Sequence, residues 1–416
     1  MDVYGLIRAS TYLQYFGLSI PIYTIDNNGN LVMRKRMTRA EIAIVVTILV
    51  MEGTLTFQNR SKLSLTIIGI LSIMSQILNT TLSLVTVLVV QRKFRLTKTI
   101  FDSLKTLNSV ITLQKNQVKT MKLHLSLWAF VVLVIAFIIS AMMTLYNTIN
   151  EQILATLVTL RLYLQPIAVL IQFLTLATLI QFYLEWVNKQ LASVKPHEPE
   201  YNRPFITVRR HAGESDGCKT VHKIERLRQI YGQIQDLKTN LNRIYSPMLW
   251  LDITVTFFQI LLFLFVNLVE VQSLGEGANT PGFHYRGFWV TFLVLKLVDV
   301  VRICGRVAEA GKEIGTTVHR VFSSSFCERV RSELTAFSLE LLHRDPYFNA
   351  FKLITIDYSL TSSLLRGVIM QLIALMQINL PAVKDVKDLL EILGAPTNPT
   401  GNPITNSSDN FSTFNR

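Results

Sequence analysis

The sequence runs to 416 residues, of which 50% are hydrophobic and 17% charged, against roughly 25% charged in ordinary globular chains, so it points to lipid rather than to water. Lys and Arg outnumber Asp and Glu by 41 to 28, yet the basic residues fall in the gaps between long apolar runs. No zinc finger, aromatic-interleaved basic block or RNP-type strand accompanies them, which excludes nucleic acid as a partner. Cys218, Cys304 and Cys327 are too few and too scattered for a disulfide framework or a closed zinc site.

An apolar helix needs about 20 residues to cross the hydrocarbon core, and seven runs approach that length. A cytoplasmic segment, 1–41, comes first and shows no cleavable signal pattern, so the first span, Ile42 to Phe57 with Glu52 inside it, is expected to act as the insertion signal. Leu63 to Val90 and Leu125 to Tyr146 are free of charge. Ile153 to Leu184 carries only Arg161, with Pro166 expected as a tolerated kink. These four spans fill 42–184. The next 62 residues, 185–246, read as a cytoplasmic loop. Met248 to Val271 and Gly287 to Cys304 are the fifth and sixth spans, within 247–304. After a cytoplasmic helical segment, 305–352, the seventh span is expected over Leu353 to Pro381, with 382–416 as an extracellular tail.

Basic residues are retained on the cytoplasmic side, and one set of alternating connecting segments holds 31 Lys and Arg against 6 in the other. The expected topology is therefore all-α, with seven transmembrane helices, the N-terminus cytoplasmic and the C-terminus extracellular. Two glycosylation patterns, Asn406-Ser-Ser and Asn410-Phe-Ser, fall in the tail that this count places outside.

Two cytoplasmic segments carry helical periodicity. Ile224, Leu227, Ile230, Ile234, Leu237, Leu241 and Ile244 recur at steps of three and four and lead through Tyr245 and Pro247 into the fifth span. Phe326, Val330, Leu334, Phe337 and Leu341 repeat the pattern after the sixth. The two stripes either pack together, pack on copies from other subunits, or cover their own subunit. Between them in character is the tract Val194 to Lys219, rich in Pro, Gly and charge, which reads as a flexible loop, as the tail from Gly394 reads as disordered.

The chain lacks a phosphate-cradling Gly-x-x-x-x-Gly-Lys-Ser/Thr, a zinc-binding His-Glu-x-x-His and a Gly-x-Ser-x-Gly nucleophile elbow, so neither catalysis nor a cofactor is expected. Ionisable residues inside spans are the better leads, because each costs roughly 2.5 to 3.5 kcal/mol near the bilayer centre unless paired or hydrated. Lys296, Asp299 and Arg302, spaced by three, share a helix face and read as a ladder in which they neutralise one another. Arg161, with Tyr163 and Gln165 nearby, either faces a ligand cavity or snorkels to the outer headgroups.

From Phe337-Ser-Leu-Glu-Leu-Leu-His343 through Ala350-Phe-Lys to Ile356-Asp357, the C-terminal part resembles the insect gustatory receptors, and the chain length, seven spans and short external turns agree. The family's seventh-span signature is Thr-Tyr, five apolar residues, then Gln-Phe; here it reads Met370-Gln371, Leu372 to Met376, Gln377-Ile378, so only the second Gln survives. The resemblance implies a tetrameric ligand-gated cation channel in the plasma membrane, a homo- or hetero-oligomer with other gustatory receptors, opened by a small tastant such as a bitter compound or sugar. Carried over by position, Gln377 and Ile378 would be gate residues, with Ile378 as the apolar plug; Gln371 joins them as a pore candidate from the uncharged run Gly367 to Leu380, where amides are interspersed among apolar residues. Ligand candidates by depth among the outer halves of the second to sixth spans are Gln76, Ser140, Tyr146, Arg161, Tyr163, Gln259, Asn267 and Trp289. The rival reading is a seven-span receptor coupled to G proteins. It requires an external N-terminus against the charge count, and the chain has neither Asp-Arg-Tyr after the third span nor Asn-Pro-x-x-Tyr in the seventh. A solute carrier would need inverted repeats, which the sequence does not display.

Overall fold

The computed structural model describes residues 23–25, 31–33, 67–92, 94–111, helical positions scattered over 117–134, and 149–194, 210–274, 281–324 and 328–392. The expected first span, Ser140, Tyr146, Asn406 and Asn410 lie outside these residues. Most of the described chain is helical. In order come a short hairpin of β1 (Tyr23–Ile25) and β2 (Leu31–Met33), then α1 (Ile67–Arg92), α2 (Phe94–Val110) and α3 (Ile149–Ala192). They are followed by α4 (Arg210–Leu274), α5 (Pro281–Ser324), α6 (Glu328–His343), a second hairpin of β3 (Phe348–Ala350) and β4 (Ile354–Ile356), and α7 (Tyr358–Ile392).

Three helices exceed what a bilayer can cover. At 1.5 Å per residue the 65 residues of α4 run about 98 Å and the 44 of α3 or α5 about 66 Å, against a hydrocarbon core of about 30 Å. Each must therefore continue into water or into protein, and the buried residues show that they continue into one another. The stripe from Ile224 to Ile244 is buried throughout, and so are Val330, Leu334 and Phe337 of α6. Of the three arrangements open for these stripes, the two helices meet within one chain, with the rings of Tyr231 and Phe337 5.4 Å apart. The loop expected over 194–219 is shorter than its composition suggests, because α4 already begins at Arg210.

The most apolar part of α3 has a cover other than lipid. Over Leu164–Ala192, 89% of the apolar stretch is buried inside the protein. Phe173 sits between Tyr245 of α4 and Phe348 of β3, with ring centroids 5.4 Å from each, and Gln172 accepts a hydrogen bond from the Tyr245 hydroxyl at 3.1 Å. Tyr245 precedes the expected fifth span, so at residue 172 α3 packs against the approach to that span and against β3. A helix that is apolar all round can be a span or a core helix. Asn188, lower down, donates to Glu313 of α5 at 3.2 Å.

Periodicity also explains α2, whose Ile100, Leu104 and Leu107, continued by Ile111 just past its end, form one buried stripe against the flank of α4. By contrast α5 leaves Val294, Leu295 and Val298 exposed on the side away from α3 and α4, as a lipid-facing surface requires. The seventh span starts later than expected. Residues 354–356 belong to β4, and Asp357 accepts the Ser359 N–H at 3.1 Å, so its carboxylate caps α7 at Tyr358. Pro381 does not end the helix, which runs on to Ile392.

Where α7 begins, its Tyr358 ring lies against Gly305 of α5; a Cβ at Gly305 would stand 2.7 Å from Cζ of that ring. No side chain larger than hydrogen fits without displacing Tyr358. Gly305→Ala should lower the thermal stability of the purified protein, and adding Tyr358→Ala should return most of the loss. Melting curves of the two single variants and the double variant check this, and strictly additive losses would refute the contact.

Candidate functional site

Two regions bear on function: the exposed face of α7, and the bundle in which α4 and α5 run side by side. On α7, Leu360 and Val368 are buried against the rest of the chain, and Gly367 approaches Phe257 of α4, to which a Cβ would stand 3.2 Å. The other side faces outward. Leu365, Ile369, Met370, Ile373 and Ile378 are exposed together with Arg366, Gln371 and Gln377. Although Tyr358–Ile378 is apolar and long enough to span a membrane, only 11% of its apolar stretch is buried, against 89% for α3. Lipid would cover the apolar residues but would leave each amide of Gln371 and Gln377 short of partners, at about 1 to 3 kcal/mol apiece. Gln371, Gln377 and Ile378 thus share the candidate span that, among the described residues, the single chain leaves most exposed.

Among the ligand candidates, Gln259 and Asn267 lie on α4 and Trp289 on α5, which pack together. Gln259 is buried; Trp289 is buried between the rings of Phe288 and Phe292, edge-on to both. The Asn267 carbonyl accepts from Arg286 Nε at 2.6 Å, and the same guanidinium is ion-paired with Glu270. Any polar group arriving there therefore meets a charged, hydrogen-bonded cluster. Gln76 lies on α1, and Arg161 and Tyr163 on α3.

The charges inside the sixth span do not form the expected ladder. Asp299 and Arg302 are paired, but Lys296 reaches across to α4, where its ammonium lies 2.8 Å from Oδ1 of Asp252, both groups being buried. The reason is direction: Lys296 faces α4, where its charge finds a carboxylate, and Asp299 is already taken. His124 Nε2 stands 2.8 Å from Oδ2 of Asp299 and Trp128 Nε1 donates to the same oxygen at 3.0 Å, which ties the helical segment around residue 124 to α5. With a carboxylate as acceptor, the His124 nitrogen must be the donor. Neither partner was singled out by the sequence; one His four residues before a Trp gives no signal until α5 is brought beside it.

In the part of α4 that precedes the expected fifth span, Lys238 donates from its ammonium to the Asp345 carbonyl oxygen and lies 6.0 Å from the centre of the Phe348 ring. Burial pushes its pKa down to about 8, with Asp345 opposing and Arg344 reinforcing the shift. On the same helix, burial raises Tyr231 to about 12.

This architecture defines a multi-pass helical membrane protein, with three helices in the described residues long and apolar enough to cross a bilayer. The profile described as 7tm Chemosensory receptor matches residues 7–380, and the chain belongs to that family. It is a receptor family, not one of enzymes. Its fold is similar to the insect olfactory receptor OR5 from Machilis hrabei in complex with eugenol, at TM-score 0.66 and 13% identity over 90% of this chain and 98% of that one. The structure of the same receptor described without eugenol is similar at TM-score 0.63 and 13% identity, over 89% and 97%. No curated protein matches by sequence.

The Asp252 and Lys296 pair offers a test of this packing. Removing one partner of a buried pair strands the other charge at a cost of about 3 to 5 kcal/mol, whereas removing both is tolerated far better. Lys296→Met alone should abolish monodisperse protein on size-exclusion chromatography, and Asp252→Leu with Lys296→Met should recover it. A double variant as poor as the single one would show that the pair is not what holds α4 to α5.

Proposed function

We propose that this protein is a gustatory receptor of the plasma membrane, acting as a tetrameric cation channel that a small extracellular tastant opens. The observation that carries the reading is α7: an apolar, membrane-length helix left uncovered by its own chain, with Gln371, Gln377 and Ile378 on the uncovered side. Four copies about an axis would give the amides one another or permeating water as partners, while a ring of Ile378 side chains would close the path by excluding water. The chemosensory family and a fold shared with a receptor solved in complex with eugenol support a small-molecule ligand. Gln259, Asn267 and Trp289, on adjoining helices, are the described residues offered for its pocket. The partition of 31 basic residues against 6 supports a cytoplasmic N-terminus and an external C-terminus, with Asn406 and Asn410 open to glycosylation.

Whole-cell recording with a panel of sugars and bitter compounds, on cells expressing this chain alone and with a second receptor, tests the reading. Ile378→Ala should raise basal current or shift activation to lower ligand concentration. Cys at 377 or 378 should react with a water-soluble thiol reagent faster when ligand is present. Unaltered currents together with ligand-independent labelling would remove these residues from the gate. A C-terminal epitope tag should be stained on intact cells, and glycosidase should increase gel mobility unless Asn406 and Asn410 are both replaced by Gln; a tag reached only after permeabilisation would reverse the topology.

A further inference from the structure

The chain between α6 and α7 is fastened to α4 by side chains that recur at every fourth residue. Lys238 donates to the carbonyl oxygen of Asp345, Asn242 Oδ1 accepts the Asn349 N–H at 3.2 Å, and Ser246 Oγ accepts the Phe351 N–H at 2.5 Å. One turn further, the Trp250 ring lies 5.9 Å from that of Phe351. The spacings match for a geometric reason: two residues of extended chain rise about 6.6 Å and four residues of helix about 6.0 Å, so the Asn349 amide in β3 and the Phe351 amide just past it meet successive turns of α4. β3 pairs with β4, Asn349 opposite Thr355, and the amides of Asn349 and Phe351 go instead to α4. Without those acceptors they would be unpaired edge donors.

The turn they hold is strained. Phe351 and Lys352 have φ of 55° and 59°, two successive non-glycine residues in the left-handed region, which persists only where the surroundings enforce it. Five residues later Asp357 caps α7, and Tyr358 rests on Gly305. On the other side, α4 runs unbroken from this turn to Gln259 and Asn267.

We infer that Asn242 and Ser246 are positioning residues of the gate: by accepting the two outward amides of the hairpin they hold its left-handed turn and fix where α7 starts relative to α4. The inference rests on the channel reading of α7 given above. A displacement of α4 by ligand at its outer half reaches the start of α7 through these two hydrogen bonds, because the rigid helix and the hairpin move as one body while they are made.

The acceptor atoms make the test specific. Asn242→Asp and Ser246→Thr keep an acceptor; Asn242→Leu and Ser246→Ala remove it. In the full chain purified into lipid nanodiscs, hydrogen exchange is followed over 344–357, and the mobility of a spin label on Ser363→Cys, about one turn into α7, is followed in a background of Cys218→Ser and Cys327→Ser. Loss of either acceptor should speed exchange at Asn349 or Phe351 by roughly two- to tenfold, loosen the label, and shift basal current or the activation midpoint several-fold at unchanged unitary conductance. The acceptor-keeping variants should stay with the parent. If Asn242→Leu does not fold, Ser246→Ala carries the same comparison. The inference is overturned if exchange does not change, if exchange rises while label and currents do not, or if Asn242→Asp is as impaired as Asn242→Leu. A parent chain silent to every compound tested would count against the channel reading, and the label would still decide whether these residues position α7.

Discussion

Everything in this structure follows from a mismatch of lengths. A bilayer covers about 30 Å of apolar helix, and α3, α4 and α5 are more than twice that long. Beyond that length their apolar faces are covered, among the described residues, by each other, α2, α6 and the β3 hairpin. The result is a helical base continuous with the spans, with Phe173, Tyr183, Phe265, Phe337 and Phe348 all fully buried along the continuous packing. Helices shared between base and membrane transmit movement along their length, because a helix bends far less readily than a loop.

Burial is correspondingly uneven. Polar groups inside the packed part find partners on a neighbouring helix, as Ser83 does with Gln165 at 3.0 Å and Lys296 does with Asp252. These pairs contribute less to net stability than to fixing which helix lies beside which, since a shifted register would leave both members unpaired in an apolar medium. Among the described helices, α7 departs from this rule. It touches α4 and α5 along one edge and leaves its amides outward, so the single chain carries a surface whose chemistry is satisfied by something beyond itself.

The joint between base and α7 is built from backbone groups. Hairpin amides bonded to Asn242 and Ser246, a carbonyl bonded to Lys238 and the close approach at Gly305 all depend on main-chain position, and so they tolerate little variation in where α7 begins. That distinguishes this joint from the apolar contacts around it, which could slide by a fraction of a turn with little loss.

Much was legible in the sequence because periodicity and charge are local properties. The buried stripe of 224–244 leading through Pro247 into the fifth span and the companion stripe on α6 were readable from residue spacing, and the family resemblance from the residues of 337–357. The same reading missed the hairpin of β3 and β4, since three-residue strands carry too little pattern to separate from the start of a span, and it did not foresee how much of α3 the protein itself covers, because an apolar helix looks alike in lipid and in a protein core. It also assigned Lys296 to its neighbours on the same helix. Composition determined that this chain must enter a membrane and spacing determined which residues share a helix face. Which helix receives each face, and that α7 is the candidate span left most exposed among the described residues, only the tertiary structure decided, because partners far apart in sequence leave no periodic trace of one another.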